Sequence, residues 1–264
     1  MLEQTRPTAD AAVAAVMEST ALSALAAHPT EWALFLDIDG TLVDLAETPS
    51  SITVPSSLPY DLNALSERLG GALALVTGRS ISFVDPLFYP FRFPIAGLHG
   101  AERRDAAGNV QHVALSPAFE DIKRRMADEA RQWPGVLVED KGAAVAAHYR
   151  LAPECQQLVE AMMERYFVEA GANWSLQRGK MVIEIRPAHA SKGDAVTAFL
   201  NEAPFKGRRA FAAGDDFTDE AMFRTVNRIG GQSLFIGPDT VETQARNRIA
   251  SPAILRKIIA QLSS

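Results

Sequence analysis

Cysteine is nearly absent: Cys155 is the single one in 264 residues, so no intramolecular disulfide can form and a reducing compartment fits best. No stretch reaches the roughly 18 apolar residues of a membrane span. The Ala-rich start, Met1 to Ala27, carries Glu3, Arg6, Asp10 and Glu18, and those charges break any signal-peptide core. Cations are in the minority, 26 against 32 acids for a formal charge of -6, which argues against a nucleic-acid binder with its clustered basic face. Internal repeats are missing too. Together these absences point to a cytoplasmic protein with neither nucleic acid nor membrane as partner. They do not exclude a small anionic substrate, because a few local cations can hold one phosphate. Cys155 lies in a helix-like run without a motif and reads as structural.

What is present is a series of short apolar runs, each ending near Gly, Asp or Thr. Trp32 to Leu36 feeds Asp37, and Ala72 to Val76 feeds Thr77-Gly78-Arg79. Phe93 to Ala96 runs into Gly97, Arg209 to Ala213 into Gly214-Asp215-Asp216, and Ser233 to Ile236 into Gly237. Continuous apolar runs of this length read as buried parallel strands. Helical patterns lie between them, at Leu58 to Leu69, Lys192 to Asn201 and Asp219 to Val226. The alternation predicts an α/β fold with a doubly wound, Rossmann-like parallel sheet. Ligands of such sheets bind beyond the carboxyl ends of the strands.

The middle of the chain has another rhythm. A helical pattern over Ser116 to Trp133 precedes strand-like runs at Gly135 to Glu139 and Ala143 to Tyr149. A second helix, Pro153 to Glu169, precedes runs at Asn173 to Gln177 and Met181 to Arg186. This αββαββ block reads as an inserted α+β cap over 108–187. The remainder divides into an N-terminal helical leader, 1–30, and a core of 31–107 with 188–264.

Chemistry concentrates at the strand ends. In Asp37-Ile-Asp39-Gly40-Thr41 two carboxylates share one turn, an arrangement that calls for a compensating cation. Magnesium suits such oxygen ligands. Asp37 can then attack phosphorus, while Asp39 protonates a leaving alkoxide and later activates water. Thr77 offers a hydroxyl beside the Gly78 amide. Lys192 opens a helix, an odd place for a cation unless it faces an anion. Gly214 to Asp219 holds three carboxylates in five residues; Asp215 and Asp216 suit a metal, and Asp219 suits either that site or a helix start. Each signal has an ordinary reading alone, as a solvated turn, an ST-turn or a surface lysine.

As a set, in this order, the four segments resemble the motifs of the haloacid dehalogenase superfamily. The resemblance implies Asp37 as nucleophile, Asp39 as acid and base, Thr77 and Lys192 as phosphate ligands, and Asp215 as a magnesium ligand. The candidate site therefore comprises Asp37, Asp39, Thr77 and Lys192 for catalysis. Asp37, Asp39, Asp215 and Asp216 are the candidates for Mg2+, and Gly40, Thr41, Gly78, Arg79 and His99 those for the substrate. Within the cap, Glu139, Lys141, Arg150, Lys180 and Glu184 resemble the sugar-gripping residues of trehalose-6-phosphate phosphatases. Alternation places Lys180, Val182 and Glu184 on one strand face. A polar face with a Lys180–Glu184 ion pair is the bland alternative. The implied activity is hydrolysis of trehalose 6-phosphate, a small-molecule sugar phosphate. The alternatives are a phosphatase of sucrose phosphate or a mannosyl phosphate, a non-catalytic sugar-phosphate sensor, or a regulatory subunit of the synthase that makes the substrate.

Overall fold

The computed structural model describes residues 20–46, 51–112, 117–179, 181–188 and 190–264. Lys180 and most of the expected leader lie outside them. The chain separates into two compact units, Met1–Val110 with Lys192–Ser264 and, inserted between these, Gln111–Ser191, compared with an expected 108–187.

The first unit begins with α1 (Thr20–Ala27), β1 (Trp32–Leu36), α2 (Leu58–Arg68), β2 (Leu73–Val76) and α3 (Ile81–Leu87). Three short strands follow, β3 (Ile95–Gly97), β4 (Glu102–Arg104) and β5 (Val110–His112). The inserted segment is α4 (Pro117–Ala130), β6 (Leu137–Asp140), β7 (Val145–His148), α5 (Gln156–Ala170), β8 (Trp174–Gly179) and β9 (Val182–Pro187). The first unit resumes with α6 (Lys192–Leu200), β10 (Arg209–Gly214), α7 (Glu220–Arg228), β11 (Gln232–Ile236), β12 (Asn247–Ile249) and α8 (Pro252–Ser263).

The large sheet has the order β12-β11-β10-β1-β2-β3-β4-β5. It is parallel from β12 to β3 and turns antiparallel at β4. Strand alternation explains its two cores. Leu34, Leu36, Leu73 and Leu75 join α2 and α8 on one side, while Ala33, Phe35, Ala74 and Val76 join α6 and α7 on the other. Leu22 and Leu25 of α1 sit in the first core, so the described end of the expected leader is part of this unit. Burying side chains such as Phe35 and Leu36 contributes about 1.5–3 kcal/mol each. Strands β4, β5 and β12 have no apolar run to announce them; β5 is exposed at all three residues.

Chain order jumps from β1 to β10 at the centre of the sheet. That jump is a topological switch point, where open α/β sheets leave a crevice. In register, Leu36 pairs with Ala213 and with Leu75, so Asp37, Gly214 and Thr77 emerge near one another at the carboxyl edge.

The inserted unit is a four-stranded antiparallel sheet, β6-β7-β9-β8. Val145, Ala147, Ile183 and Ile185 pack with Phe119, Ile122 and Met126 of α4 and Val159, Met162 and Tyr166 of α5. Both helices therefore cover one face. The other face bears the row Glu139–Ala146–Glu184–Gln177, with His148 and Arg186 beside it. Strand β9 starts at Val182 rather than at the expected Met181, because Met181 is left-handed (φ 65) in the short turn that pairs Gly179 with Val182. Cys155 ends a single turn ahead of α5 and packs against the unit's core.

Candidate active site

Asp37 follows β1 directly, and its amide donates to Ala213 O at 3.0 Å, which continues the β1–β10 ladder into the site. Its carboxylate is buried. Lys192 Nζ donates to Asp37 Oδ1 and to Asp219 Oδ1, both at 2.6 Å, and is itself buried. This answers why a cation opens α6: two carboxylates outweigh the unfavourable end of the helix dipole. Gly193 has its own reason, since a Cβ there would lie 2.6 Å from Ala221 O of α7.

Asp219 is the residue whose role the sequence left undecided. It is fully buried, and its Oδ2 accepts from the amides of Asp215 (2.9 Å) and Asp216 (3.1 Å) while Oδ1 takes Lys192. It thus braces the Asp215–Asp216 loop and belongs to the charge cluster too. Three acids in Gly214 to Asp219 were the available signal, but nothing in the spacing chose which would turn inward. Asp216 points to other work: its Oδ1 accepts from Thr218 N at 2.7 Å and from the Thr218 hydroxyl at 2.6 Å, capping the turn.

Asp37, Asp215 and Asp219 bring carboxylate oxygens within 4.8 Å of one another. Burial lifts the Asp37 carboxyl well above the usual range; Lys192 opposes this, and Asp219 and Asp215 add to it. Burial, with Asp219 and Asp216 nearby, pushes Asp215 up to about 7. Asp219 is raised by burial against the pull of Lys192. Lys192 is raised despite its burial, chiefly by Asp219 and Asp37. One ammonium set against three carboxylates, Asp37 and Asp219 buried and Asp215 partly so, leaves a deficit of positive charge.

The residues present therefore fit a hard cation. Both Asp219 oxygens are engaged, which leaves Asp37 and Asp215 as the natural ligands. Thr41, also buried, donates its hydroxyl to Asp215 Oδ1 at 3.1 Å and orients it. Gly40 is left-handed (φ +77), and a Cβ there would stand 2.0 Å from Asp215 Oδ2, so only glycine lets the two loops meet.

Asp39 stands apart from that cluster, with both carboxylate oxygens on Arg79: Nε to Oδ2 and Nη2 to Oδ1, each at 2.6 Å. The sequence placed Arg79 toward substrate; the structure places its fork on Asp39. Thr77 is buried, and its Oγ1 accepts from the Arg79 amide at 3.1 Å, an ST-turn that shapes the loop. His99 follows β3 with φ 57, next to Leu98 at φ 49. Such conformations cost energy and gather at functional sites. Here they bring the imidazole over Gly78, where a Cβ would meet His99 Cε1 at 2.7 Å.

The remaining candidates lie in the inserted unit. Lys141 Nζ donates to Glu184 Oε2 at 2.8 Å, and His148 Nε2 is 2.8 Å from Glu139 Oε2. Glu184 thus has a cross-sheet partner that the sequence did not pair with it. The His148 hydrogen bond, with Lys141 nearby, holds Glu139 below the usual carboxylate range against a rise from burial. Arg150 is exposed just past β7.

A doubly wound sheet with an inserted antiparallel-sheet unit, and an Asp–Lys–Asp cluster at its switch point, make up the scaffold and site of a phosphatase. The family model described as trehalose-phosphatase matches residues 35–253, and the chain belongs to that family. A probable trehalose-phosphate phosphatase of Sinorhizobium fredii is 60% identical over 242 residues, 92% of this chain and 91% of its own length. The Escherichia coli trehalose-6-phosphate phosphatase is 43% identical over 221 residues, 83% of this chain and 82% of its own. The C-terminal domain of C. albicans trehalose-6-phosphate phosphatase shares the fold, with TM-score 0.75 at 21% identity over 89% of this chain and 93% of that one. Among the described residues no helix is long and apolar enough to cross a membrane.

Proposed function

We propose that this protein is a cytoplasmic, Mg2+-dependent phosphatase that converts trehalose 6-phosphate to trehalose and phosphate through an aspartyl-phosphate at Asp37. The observation that carries the reading is the buried Asp37–Lys192–Asp219 array at the switch point, in a chain of this family. Asp37 attacks phosphorus as the ester P–O bond breaks, and Asp39 gives its proton to the departing sugar oxygen. Asp39 then takes a proton from the water that attacks the phosphoenzyme, which frees phosphate and restores Asp37. Lys192 and Thr77 hold the phosphoryl oxygens, with the turn amides of Gly40, Thr41 and Gly78 as further donors. Asp37 and Asp215 would hold magnesium, which would supply the missing positive charge when bound, and Asp216 lies one residue further along.

For the sugar we assign Glu139, Lys141, Arg150, Glu184 and Lys180 of the inserted unit; His99 is assigned to the substrate within the first unit. Glu139 and Glu184 supply acceptors on the helix-free face of the inserted sheet and Lys141 a donor beside Glu184, a mixture that suits a polyol. A site built to hydrogen-bond hydroxyls also rejects analogues that lack them. A phosphate-release assay with trehalose 6-phosphate, sucrose 6-phosphate and glucose 6-phosphate, with magnesium and with chelator, tests the reading. It predicts magnesium-dependent turnover that favours trehalose 6-phosphate. Preference for another sugar phosphate, or full activity without metal, would overturn it.

A further inference from the structure

The Arg79–Asp39 pair has features that a phosphate ligand does not need. Two guanidinium nitrogens each meet one Asp39 oxygen at 2.6 Å, the parallel fork that fixes a carboxylate in plane and in rotation. Arg79 is itself fixed. Its guanidinium carbon lies 4.4 Å from the centre of the Phe83 ring. Its amide donates to Thr77 Oγ1 at 3.1 Å, and its carbonyl accepts from Leu98 N at 3.0 Å. Phe83 is in turn held by α3, whose N-cap Ser80 accepts the Phe83 amide at 3.3 Å, while Glu102 accepts the Ile81 amide. Both members of the pair are mostly shielded, with side chains 16% and 27% exposed. The chain therefore uses the whole turn after β2 to hold one carboxylate that lies after β1.

We infer that Arg79 is a positioning residue that aims Asp39 at the ester oxygen, so that its effect is confined to leaving groups that need a proton. The inference rests on the acid role given to Asp39 above. Each carboxylate oxygen retains a second lone pair when the fork is made. With the plane set by Arg79, that lone pair has one direction, and the proton it carries passes along it to the sugar oxygen as the P–O bond breaks. Positioning of this kind matters because small displacements of a proton donor cost large factors in rate. A sugar alkoxide cannot leave unprotonated at neutral pH, whereas 4-nitrophenolate can. A residue acting through Asp39 therefore separates these two substrates, and one acting on the phosphate does not.

The test is the first-turnover rate of leaving-group release, measured by rapid quench for Arg79→Lys, Arg79→Gln and, as reference, Asp39→Asn. Release of trehalose from trehalose 6-phosphate should slow by about 10–100-fold in Arg79→Lys, a part of the usual worth of a general acid. Release of 4-nitrophenolate should change by less than about threefold, and KM for trehalose 6-phosphate by no more than about twofold. Arg79→Lys keeps the charge and loses the fork, so its deficit reports geometry; Arg79→Gln should fall at least as far. Equal slowing of both leaving groups with a raised KM would make Arg79 a phosphate ligand. No slowing of either would make it structural, and either result overturns the inference. Asp39→Asn separates the two claims. If it too slows both leaving groups alike, the acid assignment fails. If it is selective and the Arg79 variants are not, the positioning claim alone fails.

Discussion

The two units treat charge in opposite ways. At the sheet edge of the first unit, Asp37, Lys192 and Asp219 have side chains 5%, 3% and 0% exposed, and Lys192 holds both carboxylates. In the inserted unit, Lys141 and Glu184 stand at 20% and 13%, and His148 and Glu139 at 33% and 48%. Buried charge with too few partners is expensive and survives where chemistry requires it. Partly exposed pairs are cheaper to exchange for substrate hydroxyls, because water already competes for them. The first arrangement suits a reaction common to many phosphate esters, and the second suits choosing among them.

The largest effect should come from Asp37→Asn. The amide is nearly isosteric and poorly nucleophilic, so kcat should fall by at least about 10³-fold with the fold retained. Activity assays beside circular dichroism check this, and substantial turnover in a pure sample would remove the nucleophile. Lys192→Ala should both abolish activity and destabilise the first unit by about 3 kcal/mol, since Asp37 and Asp219 lose their shared cation in a dry site. Denaturant titration reads that loss; a stability change near zero would mean the cluster is better solvated than its burial implies.

Glu184→Ala and Lys141→Ala sharpen the contrast. Each lost charged hydrogen bond should cost about 1.5–3 kcal/mol, one to two decades, on trehalose 6-phosphate. Turnover of a small aryl phosphate should change little, and stability by less than about 1 kcal/mol, because the Lys141–Glu184 pair is partly solvated. Equal losses on both substrates would turn these residues into scaffold and erase the distinction between the units. A smaller effect concerns pH. Asp215, raised to about 7, must shed its proton before it can ligate a cation. Magnesium affinity should therefore climb as pH rises toward 7 and level off above it, by calorimetry; affinity that is flat from pH 5.5 to 8 would contradict the assignment.

Much of this was legible in the sequence because burial leaves a mark there. The runs behind β1, β2, β10 and β11 had to be apolar on both faces, and the polar residues after them had to sit at one edge. The inserted αββαββ block showed through its change of rhythm. What stayed hidden depends on partners distant in the chain. Nothing local says that Lys192 chooses Asp219 or that Arg79 turns to Asp39, 40 residues away. Strands β4, β5 and β12 have polar sequences, and β5 and β12 are the two edges of the sheet. The left-handed Leu98 and His99 carry no glycine to announce them, and Met181 likewise ended the expected strand at its first residue. The pairing of Lys141 with Glu184 crosses β7 and needs the sheet order to be seen.

In the proposed function a carboxylate oxygen of Asp37 accepts the phosphoryl group, and the inserted unit chooses which ester delivers it. Acid quenching during turnover of trehalose 6-phosphate, followed by peptide mass spectrometry, tests this most directly. One phosphoryl group should appear on the peptide that contains Asp37, be absent in Asp37→Asn, and appear also with the small aryl phosphate. A phosphoryl group on another residue, or an unmodified Asp37 under conditions where turnover is trapped before hydrolysis of the intermediate, would contradict it.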